Sequence, residues 1–352
     1  MTRLITSTTE STGKTGVALA AATLAQDRGR AVGYMKPRGT RLESAVGKTF
    51  DADPALARDL LDLDAALEDL EPVVYTPTFV KAAIRGQEDP TELRSRVRTA
   101  YDSVAADTDW MVLEGGGSLA SGGVVDLTDA DVAELLDADA VVVARYTDER
   151  TVDDLLAVAD AFGDRLDGVV FNAVPEDRRD ELEADIAPFL AANDIPTLGV
   201  LPRDPDLAGV TVGELADALG AEVLTDVDTS ATLERFHVGA MGAETALTHL
   251  RRTRHAALIT GGDRSDIQTA ALEAPGVACL VLTGGIDPAG AVVGRATEAE
   301  VPILLVNGDT LTTVERAADV LDQGRTRDRH TVDRVRDLLV EHADVDALLD
   351  ID

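Results

Sequence analysis

The stretch STTESTGKTG, residues 7–16, follows the apolar residues RLIT near the amino terminus and precedes a helical pattern over 15–29. It ends in GKT, with Lys14 and Thr15, although Thr8 stands where the pattern GxxxxGK[ST] has its first glycine. In that pattern the loop N–H groups hold phosphate, the lysine contacts the β- and γ-phosphates and the hydroxyl binds Mg²⁺. The order strand, loop, helix predicts a phosphate site. Taken alone, the motif also fits a plain strand-to-helix turn with a solvated lysine.

Short apolar runs alternate with helical patterns along the first two hundred residues. Continuous apolar strands separated by helices indicate a mainly parallel sheet covered on both faces. The strand candidates are RLITS (3–7), AVGYMKP (31–37), WMVLEGG (110–116), AVVVARY (140–146), GVVFNAV (168–174) and TLGVLP (197–202), and the helix candidates include 15–29, 53–69, 91–106 and 176–193. The fold class predicted for this part is α/β, a P-loop NTPase-type parallel sheet with helices on both faces.

A turn cluster, RDPDLAG at 203–209, ends this series, and a second, smaller α/β series follows. Its strand candidates are AALITGGDR (256–264), ACLVLTGGID (278–287) and PILLVNGDT (302–310), which together predict one βαβαβ unit. The last residues have the pattern of an amphipathic helix with an acidic end. We therefore expect a nucleotide-binding domain over 1–208, a smaller α/β domain over 212–325 and a carboxyl-terminal helix over 326–352.

Charged side chains stand at the ends of two predicted strands. Lys36 ends the second strand, and Glu114 ends the third ahead of three glycines, which let the backbone come close to a ligand. Ligands of open parallel sheets bind at the carboxyl ends of the strands. The chain has only four lysines, so the presence of Lys14 and Lys36 at one edge favours a phosphate site there.

The net charge is −33, with 65 acidic and 32 basic residues spread along the whole chain. A surface this acidic repels nucleic acid and anionic membranes, so we expect neither as a partner. Diffuse acidity with very little lysine is typical of adaptation to high intracellular salt, where screening weakens self-repulsion. We interpret the charge as that of a halophile's protein, which reports the solvent more than the function.

The remaining composition favours a cytoplasmic protein. No run approaches the roughly 20 apolar residues that span a bilayer. The first predicted strand begins at the amino terminus, so we expect no signal peptide. Cys279 is the single cysteine, which excludes an intrachain disulfide, and its apolar neighbours predict a buried thiol.

Five segments together carry a resemblance to a known family: STTESTGKT (7–15), GYMKP (33–37), DADPALA (51–57), LEGGG (113–117) and FNAVP (171–175). Their spacing resembles dethiobiotin synthetase, and is more similar still to the dethiobiotin-synthetase-like amino-terminal domain of long bacterial phosphotransacetylases. That group commonly has Ser or Gly one place earlier in the loop, where Ser7 lies here, so Thr8 is not a defect. The resemblance covers roughly residues 1–210.

The resemblance implies an ATP site with bound Mg²⁺. Lys14 would contact the β- and γ-phosphates, and Lys36 would neutralise a transferred phosphoryl group or an acidic substrate, which makes these two lysines the candidate catalytic residues. Thr15, Asp53 and Glu114 would hold Mg²⁺, which prefers hard oxygen ligands and few carboxylates. The implied ATP-binding residues are Ser7, Thr8, Thr9, Glu10, Ser11, Thr12, Gly13, Lys14, Thr15, Gly16 and Asn172, the last at the adenine edge. Two positions keep a second interpretation: Asp53 also fits a helix N-cap ahead of Pro54, and Asn172 a plain turn residue.

The second part resembles the DRTGG domain, which follows the same P-loop domain in those phosphotransacetylases. The segments that carry this resemblance are HVGAMG (237–242), ITGGDRSDIQTAALE (259–273), LTGGIDP (282–288) and VPILLVNGDT (301–310). Glycines that open the strand ends would leave unpaired N–H groups able to form an anion nest. The candidate ligand site is Thr260, Gly261, Gly262, Asp263, Arg264, Asp266, Gly284 and Gly285. The alternative is that Asp266 caps the helix and Arg264 pairs with an acid.

From these resemblances we expect a regulatory ATP-binding protein of acetyl-CoA and acetyl-phosphate metabolism. Its expected partners are a small anionic ligand, an enzyme of that metabolism and, because the group tends to pair, a second copy of the chain. These 352 residues do not reach the large acetyltransferase domain of the long phosphotransacetylases, so we expect no phosphate acetyltransferase activity from them.

The alternative function is an ATP-dependent ligase of the dethiobiotin synthetase or cobyrinate amidase type, acting through an acyl or carbamoyl phosphate. Against it, nothing between residues 114 and 140 offers an obvious site for an extended diamino substrate. Enzymatic activity thus stays open between a weak ATPase and a ligase. A scaffold with a decayed site is disfavoured, because Lys14, Thr15, Lys36 and Glu114 occur together.

Overall fold

The computed structural model describes residues 1–40, 42–45, 48–204, 207, 209–239, 242–323 and 328–350. The chain divides into two units. The first comprises residues 1–203 and 327–352, and the second comprises residues 204–326. The turn cluster at 203–209 lies where the two units meet in sequence, but Pro205, Asp206 and Ala208 are outside the described residues.

The first unit is built on a parallel sheet of six strands. The strands of this unit are β1 (Thr2–Ser7), β2 (Val32–Met35), β3 (Arg38–Gly39), β4 (Leu42–Ala45), β5 (Lys48–Asp51), β6 (Val73–Val74), β7 (Trp110–Glu114), β8 (Asp139–Ala144), β9 (Leu166–Val174) and β10 (Thr197–Pro202). The sheet order is β10-β9-β8-β1-β7-β2, with every pair parallel. All six predicted strands are present, and β1 at the centre is buried at every residue. Apart from the main sheet, β3 pairs with β6 and β4 with β5.

Helices connect these strands, although two of the predicted helices differ in the structure. They are α1 (Lys14–Asp27), α2 (Ala52–Leu61), α3 (Leu67–Leu70), α4 (Pro77–Ile84), α5 (Pro90–Ala105), α6 (Asp129–Leu136), α7 (Arg150–Phe162), α8 (Glu176–Glu181) and α9 (Ala187–Ala191). The single helix expected over 53–69 is wrong, because Asp62 takes the left-handed conformation (φ 54°) and ends α2. The helix expected over 176–193 contains a π-helical turn, Leu182–Ile186, between α8 and α9.

The second unit contains a smaller α/β sheet. Its strands are β11 (Val210–Thr211), β12 (Glu222–Val223), β13 (Thr232–Leu233), β14 (Arg235–Val238), β15 (Ala256–Gly261), β16 (Val277–Thr283) and β17 (Ile303–Leu305), and its helices are α10 (Val212–Leu219), α11 (Ala243–Leu250), α12 (Ser265–Leu272), α13 (Gly290–Glu298) and α14 (Thr310–Gln323). The sheet order is β12-β17-β16-β15-β14, parallel except for β12. The predicted βαβαβ unit is β15–α12–β16–α13–β17.

The end of the chain packs on the first unit. It forms two helices, α15 (Arg329–His342) and α16 (Val345–Leu349), where the sequence predicted one over 326–352. The helical run breaks at Ala343, which is extended and bridges to Gly199. The carbonyl of Leu349 then accepts a hydrogen bond from Trp110 Nε1 at 3.1 Å. The last helices are therefore not a separate element but part of the packing around the six-stranded sheet.

In the described part of the chain, none of the helices combines the length and apolar character needed to cross a lipid bilayer.

Candidate functional site

The predicted phosphate loop connects β1 to α1 at the carboxyl end of the central strand. Ser7 is the last residue of β1, and its Oγ donates to the Gly117 carbonyl at 2.8 Å. Gly13 takes the left-handed conformation (φ 88°) at the start of α1, where a Cβ atom would lie 2.2 Å from Asn172 Nδ2. Glycine is thus required at this position for both backbone and space. Thr9 and Glu10 are exposed, whereas Thr12 is buried with no hydrogen-bond partner for its Oγ1 among the described residues.

Lys14 opens the helix that follows the loop, and it is buried. Burial lowers its pKa, since a low-dielectric surrounding disfavours the ammonium form, while the negative charges of Glu114 and Asp129 oppose that effect. A buried cation at the start of a helix, behind a loop of backbone N–H groups, is the arrangement that attracts phosphate.

Next to Lys14, the Thr15 hydroxyl contacts two carboxylates that come from distant parts of the sequence. Its Oγ1 bonds to Glu114 at the end of β7 and lies 3.3 Å from Oδ2 of Asp53, in the first turn of α2. All three side chains are about 1% exposed. The structure therefore brings together the three residues that the family resemblance implied for Mg²⁺.

Lys36 provides the positive charge that balances these carboxylates. Its Nζ lies 2.5 Å from Asp53 Oδ2, 2.6 Å from Asp51 Oδ2 and 3.6 Å from Glu114 Oε1. Burial alone would lower the pKa of Lys36, but the three carboxylates outweigh it and hold the pKa well above its usual range. The three carboxylates thus favour the ammonium form of Lys36 inside the unit.

Asp51 and Tyr34 belong to the same cluster, although the sequence did not single them out. Asp51 is the N-cap of α2, because its Oδ1 accepts from the Asp53 N–H at 3.0 Å. The alternative interpretation of Asp53 as the N-cap is therefore wrong. Tyr34 donates its hydroxyl to Glu114 Oε2 at 2.7 Å, and burial together with the Glu114 charge holds the pKa of Tyr34 well above its usual value. A polar residue in an otherwise apolar strand was the only sequence signal for Tyr34.

A second buried ion pair lies beside the first and was also missed. Asp129 accepts hydrogen bonds from Arg38, from Thr6 Oγ1 at 2.6 Å and from the Gly116 N–H at 2.9 Å. A Cβ atom on Gly115 would lie 2.1 Å from Asp129 Oδ2. The glycines after Glu114, which the sequence associated with close approach to a ligand, thus also make room for these buried side chains. Arg38, two residues after Lys36 in MKPRG, was the available sequence signal.

Asn172 contacts the phosphate loop itself. It lies in β9, and its Nδ2 donates to the Thr12 carbonyl at 2.8 Å. The side chain is half-buried against Gly13, so Asn172 orients the loop backbone. The interpretation of this residue as a plain turn residue is therefore wrong, while its contact with adenine stays a prediction.

In the second unit, the glycine turns do not have the expected unpaired N–H groups. The N–H groups of Gly262, Gly284 and Gly285 donate to the carbonyls of Thr283 (3.2 Å), Gly308 (2.8 Å) and Val306 (3.0 Å). The turns bond to the neighbouring strand ends, so an anion nest at these groups is wrong.

Several polar side chains near those turns also bond to other groups of the second unit. Thr260 Oγ1 donates to the Gly239 carbonyl at 3.3 Å, and Gln268 Nε2 donates to the carbonyls of Gly261 and Gly262. Arg264 Nε lies 3.6 Å from Asp266 Oδ1, so Arg264 pairs with an acid, as the alternative held. Asp266 does not cap α12, whose start has no side-chain cap, and Asp263 is exposed.

Among the described residues, no group of three or more His, Cys, Asp or Glu side chains is arranged to hold a metal ion by itself. The first-unit cluster differs from such a group because its third oxygen is the Thr15 hydroxyl. Two carboxylates and one hydroxyl suit Mg²⁺, which keeps several of its waters.

Comparisons with known proteins show which families the two parts of the chain match. Residues 2–211 match the family AAA_26, described as an AAA domain, and residues 214–320 match the DRTGG domain. A phosphate acetyltransferase of Pseudomonas putida is 25% identical over 355 residues, covering 94% of this chain and 49% of the relative. The ATP-dependent dethiobiotin synthetase BioD of Aromatoleum aromaticum is 29% identical over 225 residues, covering 59% of this chain and 91% of the relative.

The chain spans about half the length of the phosphate acetyltransferases it matches. Among solved structures, the cell division ATPase MinD of Pyrococcus furiosus matches with a TM-score of 0.36 and 18% identity, covering 59% of this chain and 86% of that one.

Proposed function

The chain belongs to the AAA_26 family of P-loop domains, with a DRTGG domain after it. We propose that it is a regulatory protein that binds Mg-ATP. One observation carries the proposal. Thr15, Asp53, Glu114 and Lys36 come from four separate segments and meet in one buried cluster beside Lys14. Buried charges cost free energy unless they are paired, so a cluster of this size indicates a functional site.

The chain's own residues have distinct roles in this proposal. The loop N–H groups and Lys14 bind the phosphates, and Asn172 holds the loop through the Thr12 carbonyl. Thr15, Asp53 and Glu114 would hold Mg²⁺, which neutralises phosphate charge when bound. Lys36 keeps a second positive charge next to these carboxylates, so it is placed to neutralise a transferred phosphoryl group or an acidic substrate.

The regulatory part of the proposal rests on the relatives. Phosphate acetyltransferases align with nearly the whole chain, so we place its role in acetyl-CoA and acetyl-phosphate metabolism. In this role the nucleotide state of the first unit would control a cytoplasmic partner enzyme, and the chain would act as a homodimer. The two matched domains supply no acetyltransferase chemistry in this proposal, so regulation is the function we assign to them.

A ligase is the second candidate, and the position of Lys36 favours it. An ammonium group next to a phosphate loop can stabilise an acyl or carbamoyl phosphate, and a dethiobiotin synthetase is among the relatives. A ligase releases ADP only when its acceptor is present. Adding an acceptor should not increase ADP release from a nucleotide sensor. ADP release measured with and without carboxylate and amine acceptors therefore separates the two functions.

Substitution of Lys14 tests the nucleotide site. Lys14→Ala should weaken Mg-ATP binding at least roughly tenfold in calorimetry, because a charge-assisted contact to phosphate is lost. Lys81→Ala is the matched control, since Lys81 is exposed on α4 and should leave the affinity unchanged. Equal ATP affinity in wild type and Lys14→Ala would contradict the site.

An enzyme assay tests the regulatory assignment. The 352-residue chain should form no acetyl-CoA from acetyl phosphate and CoA in molar potassium chloride, because neither of its matched domains is proposed to do that chemistry. A full-length phosphate acetyltransferase under the same conditions is the positive control. Robust turnover by the pure chain would refute the regulatory assignment.

A further inference from the structure

The second unit contains a cleft that the sequence did not predict. It lies between β14 and α11, with a volume of about 350 Å³, within the range of small-molecule sites. Its floor is apolar, from the buried residues Ala246, Leu250 and Leu258. The glycine turns over 260–266 and 284–285 are not among its lining residues.

Four basic side chains also line this cleft. They are Arg235 and His237 from β14, His249 from α11 and Arg252 just after α11. No acidic residue occurs between Glu244 and Asp263, while His249, Arg251, Arg252, Arg254 and His255 fall in that interval. In a chain of net charge −33, a cationic cleft at an acid-free segment is an exception that the acidity of the surface does not explain.

The charges of the cleft act on one another. Arg235 lies 3.8 Å from Glu234, whereas no ion pair to a described carboxylate forms at Arg252 or His249. His237 Nε2 lies 2.8 Å from Thr253 Oγ1, which fixes the ring against the buried end of the cleft. Burial lowers the pKa of His237, and the positive charge of Arg235 lowers it further. The positive charge of the cleft is therefore carried by the exposed side chains of Arg235 and Arg252, which would attract an anion.

We propose that this cleft binds a phosphorylated organic molecule no larger than a mononucleotide, with Arg235 and Arg252 on the phosphate and the apolar floor against the organic part. Arginine suits phosphate because its planar fork of N–H donors matches the oxygens. The apolar floor favours an organic phosphate over the inorganic ion. This inference deepens the proposed regulatory function, since it assigns the DRTGG domain its ligand class and site.

The phosphate loop of the first unit also binds phosphate in our proposal, so the test first weakens that site with the Lys14→Ala substitution. The 352-residue Lys14→Ala variant is titrated with AMP, acetyl phosphate and inorganic phosphate in calorimetry, in potassium chloride that keeps the chain folded. At least one organic phosphate should bind with one site per chain, more tightly than inorganic phosphate. AMP and acetyl phosphate distinguish a nucleotide from an acyl phosphate as the source of the phosphate group.

Two double variants in the Lys14→Ala background then locate the site. Arg235→Gln with Arg252→Gln should weaken binding by about tenfold or more, because charge-assisted contacts are lost. Arg251→Gln with Arg254→Gln changes the charge equally at neighbouring exposed positions that do not line the cleft, and should bind as the parent does. The four arginines are exposed, so both double variants should fold, which thermal melting checks.

The ring signals of His237 in NMR give a second readout, since a bound phosphate should shift them in the parent and not in the Arg235→Gln, Arg252→Gln variant. The inference is overturned if no organic probe binds at millimolar concentration, or if both double variants bind equally. Neither result affects the Lys14 test of the first unit, which compares the Mg-ATP affinity of wild type with that of Lys14→Ala.

Discussion

Individual residues at the sheet edge show how buried charge is tolerated in this fold. Lys36 contacts Asp51, Asp53 and Glu114, and Arg38 contacts Asp129, so both of these buried cations have carboxylate partners. Removing one member of such a pair leaves an uncompensated charge, which costs more than the pair contributes. The same compensation makes the cluster a suitable place for the further charges of phosphate and a metal ion.

Glu71 is a buried carboxylate that forms no ion pair with a cation of the described residues. Its Oε2 accepts from the Asp51 N–H at 3.0 Å, while its Oε1 is buried without a hydrogen-bond partner among the described residues. A Cβ atom on Gly39 would lie 1.6 Å from that Oε1, so the carboxyl group packs directly over the glycine. Burial raises the pKa of Glu71 from 4.5 to about 7, with the Asp51 charge adding to the shift.

This raised pKa predicts a pH dependence. Below pH 4.5 both folded and unfolded chains hold the proton, and between 4.5 and about 7 only the folded chain holds it. The contribution of Glu71 to stability is therefore lost as the pH rises through this window. Glu71→Gln should be more stable than wild type by on the order of 1–3 kcal/mol at pH 8, with no difference near pH 4, because one pKa unit corresponds to about 1.4 kcal/mol.

Urea unfolding at a series of pH values measures this difference. Glu134→Gln is the control, since Glu134 is exposed on α6. A variant that differs from wild type equally at all pH values would contradict the raised pKa of Glu71.

At the level of elements, α1 links the loop to the carboxyl-terminal helices. Its alanine-rich sequence is buried from Lys14 to Ala22, since it packs between the sheet and α15. A Cβ atom on Gly16 would lie 3.3 Å from Val335, which places α15 directly over the first turn of α1. The position of α1, and therefore of Lys14 and Thr15, depends on a helix more than 300 residues away in the sequence.

Substitution of a buried leucine tests this docking. Leu339 is 0% exposed on α15, so Leu339→Ala should cost about 2–5 kcal/mol of unfolding free energy, as a cavity replaces the side chain. Val340 is 61% exposed on the same helix, and Val340→Ala should cost less than about 0.5 kcal/mol. Denaturant unfolding compares the two variants. Equal stabilities would mean that α15 does not pack on the first unit in solution.

For the whole molecule, charge predicts the response to salt. At about 0.1 M salt the Debye length is near 10 Å, and at 1 M it is about 3 Å. The net charge of −33 should therefore destabilise the folded chain at low salt through self-repulsion, which potassium chloride relieves. We expect the melting temperature and the rate of ATP association to rise between 0.1 and 2 M potassium chloride.

Differential scanning calorimetry and stopped-flow fluorescence measure these two quantities. ATP must approach through a negative field that only a few cations reverse locally, so its association rate should rise in parallel with the melting temperature. A melting temperature that stays flat or falls over this range would refute the interpretation of the charge as salt adaptation. The acidity would then require a functional cause, such as a basic partner.

The amino-acid sequence by itself determined the sheet and the edge where the site lies. Apolar runs of strand length and helical periods are local patterns, so the strands could be identified from the sequence. Because the carboxyl ends of parallel strands share one edge, the sequence also placed Lys14, Lys36 and Glu114 together. Only the tertiary structure decided the partners of these residues. The Asp129–Arg38 pair, the Asp51 cap, the bonded glycine turns and the cationic cleft leave little or no local pattern.

The docking of the carboxyl-terminal helices shows the same limit most clearly. Arg3 Nε donates to the Leu348 carbonyl at 3.1 Å, a contact between the two ends of the chain. No period or motif in either segment specifies such a contact, because it depends on how the packed surfaces between them fit. Local sequence patterns therefore predicted which elements form and at which edge ligands bind, while long-range packing selected the side chains that complete the site.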